Sequence, residues 1–172
     1  MEVQSNDERS FRIVYEEVFP ILMRVVYHVV HNVDIAEEIC QEAFIRFFDK
    51  AMTFPSLNDA KYWLIRVAKN LAINVVKRSS RERSMVEKLK QFPTPHANTT
   101  DGEKILMKEE TRQEVQQAIE NLPEKYRLVI VLREYSDMDY KQIAKVLNIS
   151  ESNVKVRVYR ARKMLESTLN QE

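Results

Sequence analysis

The chain has almost no glycine: Gly102 stands alone among 172 residues, with only five prolines beside it. Sandwiches and barrels need many tight turns, which these two residues make, so their scarcity argues against most all-β architectures. It also excludes a glycine-rich phosphate loop and a nucleophile elbow, each of which needs several glycines close together. Cysteine is nearly missing too. Cys40 is the only one, so no internal disulfide forms; this fits a reducing compartment, and we expect a cytoplasmic protein. The longest apolar run, Ile21 to Val30, is interrupted by Arg24 and His28 and is about half of what a bilayer demands. The opening MEVQSNDERS is polar and acidic, unlike a signal peptide, which starts with cations and an apolar run. No membrane insertion is expected.

Chemistry-bearing clusters are equally scarce. His28 and His31 lie three apart with Cys40 downstream, but a fourth ligand is lacking, so no metal is expected and His28 reads as a partly buried histidine on an apolar stripe. Glu37 and Glu38 sit in a helix-capping turn, with no aromatic or histidine pocket to raise a carboxylate pKa. We expect no catalytic residue, no cofactor and no enzyme. Cys40 lies on a helix near packed residues, a poor position for a redox sensor.

What is present is charge sorted into blocks. The net charge is only +1, yet residues 1–50 carry 10 acids and 5 bases, a net of −5, and residues 61–90 carry 9 bases and 2 acids, a net of +7. The order then repeats: residues 96–140 hold 10 acids and 6 bases, a net of −4, and residues 141–172 hold 7 bases and 3 acids, a net of +4. Solubility does not require such segregation. It implies two units, each with one surface for a polyanion and another for a different partner.

Periodicity makes both units helical. Phe11, Val14, Tyr15, Val18 and Phe19 form a packed stripe on a helix opening near Asp7; beyond Pro20 the stripe continues to Val30, past a kink or in a second helix, and Asn32 and Val33 end it. Asp34 with Glu37 predicts the next cap. That helix packs Ile35, Ile39, Ala43, Phe44 and Phe47 and leaves Glu38, Gln41, Glu42 and Arg46 outside, which on pattern alone is a solvated face. Phe54 to Asn58 is a loop, where an exposed Phe54 could stack on a base. From Asp59 a long helix packs Leu64, Val67, Ala68, Leu71 and Val75, with Tyr62, Arg66, Lys69, Ile73 and Lys77 opposite, Asn70 and Asn74 toward the edge and Trp63 beside them. Aromatics among cations and amides suit unpaired DNA; a core Trp on a solvated basic helix is the equal alternative. Periodicity disappears around QFPTPHANTTDG at 91–102. The fold class is thus all-α: two small helical domains joined by a flexible linker, the first over 6–83, the linker over 84–105, the second over 106–172. In the second, Ile105, Glu109, Val115, Ile119 and Leu122 make one stripe and Tyr126 to Arg133 another.

The last 34 residues carry the sharpest signal. In DYKQIAKVLNISESNVKVRVYRARKML at 139–165, Asp137 or Asp139 caps a short helix. Asn148 supplies the left-handed turn, Ile149 plugs the corner and Ser150 caps a second helix, which together read as a helix-turn-helix. At about 100° per residue Val154, Val158, Ala161 and Leu165 pack. Ser152, Val156, Tyr159, Arg160 and Lys163 lie opposite, flanked by Asn153, Lys155, Arg157 and Arg162. No acid occurs from Asn153 to Leu165, and cations with an outward Val and Tyr suit a major groove. A basic surface helix in an ordinary bundle is the plainer alternative.

Four segments in this order, DIAEEICQEAFIRFF at 34–48, YWLIRVAKNLAIN at 62–74, LPEKYRLV at 122–129 and the helix-turn-helix, resemble bacterial RNA polymerase sigma factors of the extracytoplasmic-function (sigma-70 group IV) type. The resemblance extends from Phe11 to Leu165. It implies an alternative sigma factor whose first domain is of the region 2 type and whose second is of the region 4 type. Asp34, Glu37, Glu38, Gln41, Glu42 and Arg46 would then meet the clamp helices of the largest subunit of core RNA polymerase. The loop residues Phe54, Ser56 and Asn58 would read and melt the minus-ten element, together with Tyr62, Trp63, Arg66, Lys69, Asn70, Ile73, Asn74 and Lys77. Asn70 is the candidate for touching a flipped base. The second domain would bind the flap of the second-largest subunit and the minus-thirty-five element, so promoter DNA is a partner both double- and single-stranded. An anti-sigma factor is a further implied partner. The family often has glycine where this chain has Asn148, near Asp137 and at Ser56, and often serine at Val156; the Asp137 loop is therefore expected to differ in shape. A polymerase-independent helix-turn-helix regulator binding a palindrome, and a helical adaptor without DNA, are the competing readings.

Overall fold

A computed structural model of the chain describes residues 1–87 and 108–171. Helix α1, Glu8–Val30, opens at Asp7, whose carboxylate accepts a hydrogen bond from the Ser10 N–H at 2.9 Å. Pro20 lies inside α1 without ending it. The helix stops at His31, which takes the left-handed conformation at φ 54°. Helix α2, Val33–Asp49, is capped not by Asp34 but by Asn32, whose side-chain oxygen accepts from Ile35 N at 3.0 Å. Asn32 is therefore a start and not a stop, and Asp34 lies in the first turn, where its charge favours the helix dipole.

Two short strands were not foreseen. Strand β1, Val3–Gln4, pairs antiparallel with β2, Thr53–Phe54, in the register Val3↔Phe54 and Gln4↔Thr53. Helix α3, Leu57–Glu87, follows. Residues 84–87, expected in the linker, are its last turn; the rest of the expected linker, with Ile105, falls outside the described residues.

The first core joins Val14, Val18, Leu22, Val25 and Val26 of α1 to Ala36, Cys40, Ala43 and Phe47 of α2 and to Ala60, Leu64, Ile65, Ala68 and Ala72 of α3. The α3 stripe is turned from the expected one: Val67 and Leu71 are only partly buried and Val75 is exposed. Ala60, Ala68 and Ala72 share the packed side with Leu64 and Ile65, and Val67, Leu71 and Val75 are turned toward the flanks.

In the second half, α4 (Lys108–Glu120), α5 (Glu124–Ile130), a π-helical turn (Val131–Tyr135), α6 (Tyr140–Leu147) and α7 (Glu151–Leu169) enclose Ile119, Leu122, Val129, Leu132, Met138, Ile143, Val154 and Val158. The two halves pack on one another. The His28 ring stacks on Tyr135 with centroids 6.4 Å apart, and the Arg24 guanidinium lies 5.2 Å from the same ring centre. Arg127 Nε donates to the His28 carbonyl at 3.1 Å. From α3, Lys61 Nζ donates to Ser136 O at 2.9 Å and Lys69 Nζ to Val146 O at 2.7 Å.

Candidate nucleic-acid interface

The helix-turn-helix is built as its residues dictate. Asp139 accepts from Gln142 N at 2.7 Å while the Gln142 side chain accepts from Asp139 N at 3.1 Å, a reciprocal capping box at the start of α6. Asn148 ends α6 in the left-handed region, φ 55° and ψ 48°, and Ser150 Oγ accepts from Asn153 N at 3.1 Å to open α7. Asp137 also takes positive φ, 50°. Two of the three positions where glycine was the family expectation, Asp137 and Asn148, thus hold the glycine-like backbone with a short polar side chain, so Asp137 does not impose the differently shaped loop expected there; Ser56 is not among the positive-φ residues.

On α7, Val154, Val158 and Ala161 are buried, while Ser152, Asn153, Lys155, Val156, Tyr159, Arg160, Arg162 and Lys163 are exposed and Arg157 is half-buried. Tyr159 is 64% and Val156 45% exposed, high values for apolar groups on a cationic face. Some cations are held from the side. Arg162 reaches Glu134 at 3.0 Å, Arg157 Nε donates to Asn153 Oδ1 at 3.2 Å, and the Lys163 ammonium sits 5.7 Å from the Tyr159 ring centre. The Tyr126 phenol has its pKa lowered, first by Arg160 and then by Lys125.

The second candidate surface is more altered. Arg66, Asn70, Asn74 and Lys77 share one exposed face of α3, and Asn58 is exposed in its first turn, since α3 begins at Leu57 and not at Asp59 as expected; Ser56, Tyr62, Trp63 and Ile73 are half-buried. Phe54 is buried, 6% exposed, stacked on Phe47 at 5.4 Å with the Trp63 ring edge-on at 6.1 Å. The expectation of an exposed Phe54 that stacks on a base is thus overturned: pairing with β1 turns its ring inward, where burial of an aromatic contributes most. Lys69 departs likewise. It is 7% exposed, its pKa lowered by burial and then by Arg66, and its ammonium is bonded to Val146 O. In this arrangement it faces the helix-turn-helix and not solvent.

On α2, Asp34, Glu37, Glu38, Gln41 and Arg46 are exposed and Glu42 half-buried; Arg46 Nε donates to Glu42 at 2.8 Å and Gln41 Nε2 to Glu37 at 3.4 Å. Beside this row runs a shallow groove of about 400 Å³ lined by Phe11, Tyr15, Gln41, Phe44, Ile45 and Phe48. Ile45 is 55% and Phe48 45% exposed. The signal was present in the doublets Phe44-Ile45 and Phe47-Phe48, which make the apolar arc of α2 wider than its core side needs.

His28 is buried, 3% exposed, and its Nδ1 has no partner. Burial, then the charges of Arg127 and His31, push its pKa down to about 4. Cys40 is also buried, and burial followed by Glu37 pushes its thiol up to about 12. The thiolate is the reactive form, so this geometry makes Cys40 inert. Among the described residues no cluster of three or more His, Cys, Asp or Glu is placed to hold a metal, and no helix is long and apolar enough to cross a membrane.

A capped helix-turn-helix with an acid-free outer face, set beside a second helix exposing amides and cations, defines a helical DNA-binding transcription factor. Residues 14–82 match the family Sigma-70 region 2, and residues 112–165 match Sigma-70, region 4. The chain is 30% identical to the ECF RNA polymerase sigma factor SigW of Bacillus subtilis, over 98% of this chain and 93% of that protein. It is 29% identical to the RNA polymerase sigma-H factor of Pseudomonas aeruginosa (97% and 90% covered) and to the ECF RNA polymerase sigma-E factor of Escherichia coli K12 (96% and 89% covered). Its fold resembles the sigma factor RpoE of Bartonella quintana, solved in complex with the anti-sigma factor NepR, with a TM-score of 0.71, 21% identity, and 94% and 98% of the two chains covered. The chain belongs to the ECF family of RNA polymerase sigma factors and is an alternative sigma factor of transcription initiation.

Proposed function

We propose that the chain binds core RNA polymerase and directs it to promoters by placing α7 in the major groove of an upstream element and α3, with the 54–58 loop, on a melted downstream element. It acts without catalysis: contacts to unpaired bases offset the cost of opening the duplex. The observation that carries this reading is the outer face of α7, where five cations flank an exposed Val156 and Tyr159 with no acid between Asn153 and Leu165. Arg160 and Arg157 are placed for guanine edges or phosphates, and Val156 for a thymine methyl.

The acidic row Asp34, Glu37, Glu38, Gln41, Glu42 and Arg46, with the groove beside Ile45 and Phe48, is the surface we assign to the polymerase clamp. A mixed face of this kind suits a partner helix carrying both apolar and basic groups. The second domain is assigned to the flap, and an anti-sigma factor is a further partner on the family pattern. Run-off transcription with core polymerase from a genomic promoter set, with and without the chain, tests the reading. Promoter-specific transcripts that need the chain support it; tight binding of a palindromic duplex by the chain alone, with no new transcript, would replace it with a polymerase-independent regulator.

A further inference from the structure

Ser5 is an unexpected residue to find in a core. It is fully buried, as is Val3, although both belong to a short polar segment ahead of α1. Its partners explain the burial: Ser5 N donates to Met52 O at 2.9 Å, and Ser5 Oγ accepts from Met52 N at 2.9 Å. With the pairs Val3↔Phe54 and Gln4↔Thr53, every residue from Met52 to Phe54 is tied to β1 or to the Ser5 that follows it. The chain has just left α2 through Ala51, a non-glycine residue at φ 48°, and enters β2 with backbone groups that no helix can satisfy. Strand β1 supplies the partners.

The segment held in this way leads into the loop assigned above to the melted element. Its far end is fixed too: Ser56 Oγ accepts from Asp59 N at 3.2 Å and donates to Asp59 Oδ2 at 2.6 Å. The link is therefore short and anchored at both ends: only Pro55 and Ser56 lie between Phe54, the last residue of β2, and the first turn of α3, with Phe54 as a buried root against Phe47 and Trp63. A loop already ordered before DNA arrives does not lose conformational freedom on capturing a base, so more of the contact energy opposes unstacking.

We propose that β1 together with Ser5, the residue that follows it, is a positioning element for promoter opening: by pairing with Met52–Phe54 it holds the 54–58 segment in the shape that receives an unpaired base. This inference rests on the assignment of that loop and α3 to the melted element. A two-stranded ribbon of this size is marginal alone, so its persistence depends on Val3 being seated in the core, and on Ser5 satisfying Met52 in both directions.

The test uses holoenzyme reconstituted with the full chain. Its probe is a fork-junction fragment with a single-stranded minus-ten region, cut from a promoter recovered by run-off transcription; a duplex holding only the upstream element is the control. Ser5→Pro removes both bonds to Met52, Ser5→Ala removes one, and Ser5→Thr keeps the hydroxyl. We expect fork-junction binding to weaken about tenfold in Ser5→Pro and severalfold in Ser5→Ala, with Ser5→Thr close to the parent. Core affinity and upstream-duplex affinity should stay within about twofold. Trp63 is the sole tryptophan and lies against Phe54, so acrylamide quenching of its fluorescence reports the loop directly and should rise in Ser5→Pro. Equal loss on both probes would mean that β1 only stabilises the fold and would overturn the proposal. So would unchanged fork-junction binding in Ser5→Pro while Asn58→Ala and Asn70→Ala weaken it. If Asn58→Ala and Asn70→Ala are also silent, the assignment of the loop itself fails, and the inference with it.

Discussion

Arg160 and Lys163 are close neighbours on the exposed face of α7, yet they differ in how they are held. Arg160 has no carboxylate within ion-pair distance among the described residues, and its planar guanidinium can fork onto one base. Lys163 lies 5.7 Å from the Tyr159 ring centre and 3.9 Å from Glu166, a point charge suited to a phosphate. Arg160→Ala should therefore cost about 1–3 kcal/mol on the preferred upstream element and little on a scrambled one, while Lys163→Ala should weaken both alike and lower the salt slope by about one. Fluorescence anisotropy of the holoenzyme on the two duplexes checks this; equal losses for Arg160→Ala would remove its base-reading role. Asn148 offers a stability test. Its left-handed backbone costs an alanine roughly 1–2 kcal/mol more than it costs glycine, so Asn148→Ala should lower the urea midpoint, whereas Asn148→Gly should hold it near the parent. If alanine and glycine behave alike, the left-handed turn is not what asparagine supplies.

At the level of elements, α1 shows packing prevailing over local propensity. Pro20 removes a backbone donor in mid-helix, yet Val14, Val18, Leu22 and Val25 form one buried stripe through it and Pro20 itself is exposed. Each of those side chains gains roughly 1.5–3 kcal/mol on burial, against about 3 kcal/mol for an interior proline. Pro20→Ala should accordingly stabilise the chain by about 1–2 kcal/mol, after discounting the freer unfolded state, and a thermal melt with no upward shift would show that α1 has adapted to its proline. The same competition governs what could be read in advance. Helix α7 was legible to the level of its caps, because Asn148, Ser150 and the Val154, Val158, Ala161 stripe are local signals. The start of α2 was misread by two residues because Asn32 and Asp34 are both competent caps, and only the chain reversal at His31 decides between them. On α3 the period was right and the phase was shifted: Leu64 and Ala68 are buried as expected, but alanines at 60 and 72, which carry little hydrophobic weight in a sequence, join Ile65 in the core where Val67, Leu71 and Val75 were expected. Phe54 and Lys69 were misplaced for a non-local reason, since β1 and the helix-turn-helix, which cover them, lie about 50 and 77 residues away.

At the scale of the whole molecule the two surfaces proposed to face DNA are not independent. Lys69, assigned to the melted element, is bonded to Val146 O at the end of α6, and Lys61 to Ser136 O, so the halves must part before Lys69 can meet a phosphate. His28 links that parting to pH. It is buried against Tyr135, its backbone carbonyl accepts from Arg127, its Nδ1 is unpartnered, and its pKa is pushed down from 6.5 to about 4 by burial, by Arg127 and by His31. His31 is shifted in the same direction by burial and then Arg127, with Glu120 and Glu124 opposing. A histidine depressed in the packed state binds fewer protons there than when released, so the packed state is at full strength above about pH 6.5 and loses strength as pH falls toward 4. At about 1.4 kcal/mol per unit the loss is on the order of 3 kcal/mol, comparable to an interdomain contact of a few hydrogen bonds. The radius of gyration from small-angle scattering should therefore grow between pH 7 and pH 4.5 for the parent chain. His28→Leu, which keeps the apolar volume and cannot take a proton, should flatten that dependence. Promoter fork DNA bound to holoenzyme competes for Lys69 and should leave the domain separation insensitive to pH. An identical pH profile in the parent and His28→Leu would assign the opening to another group.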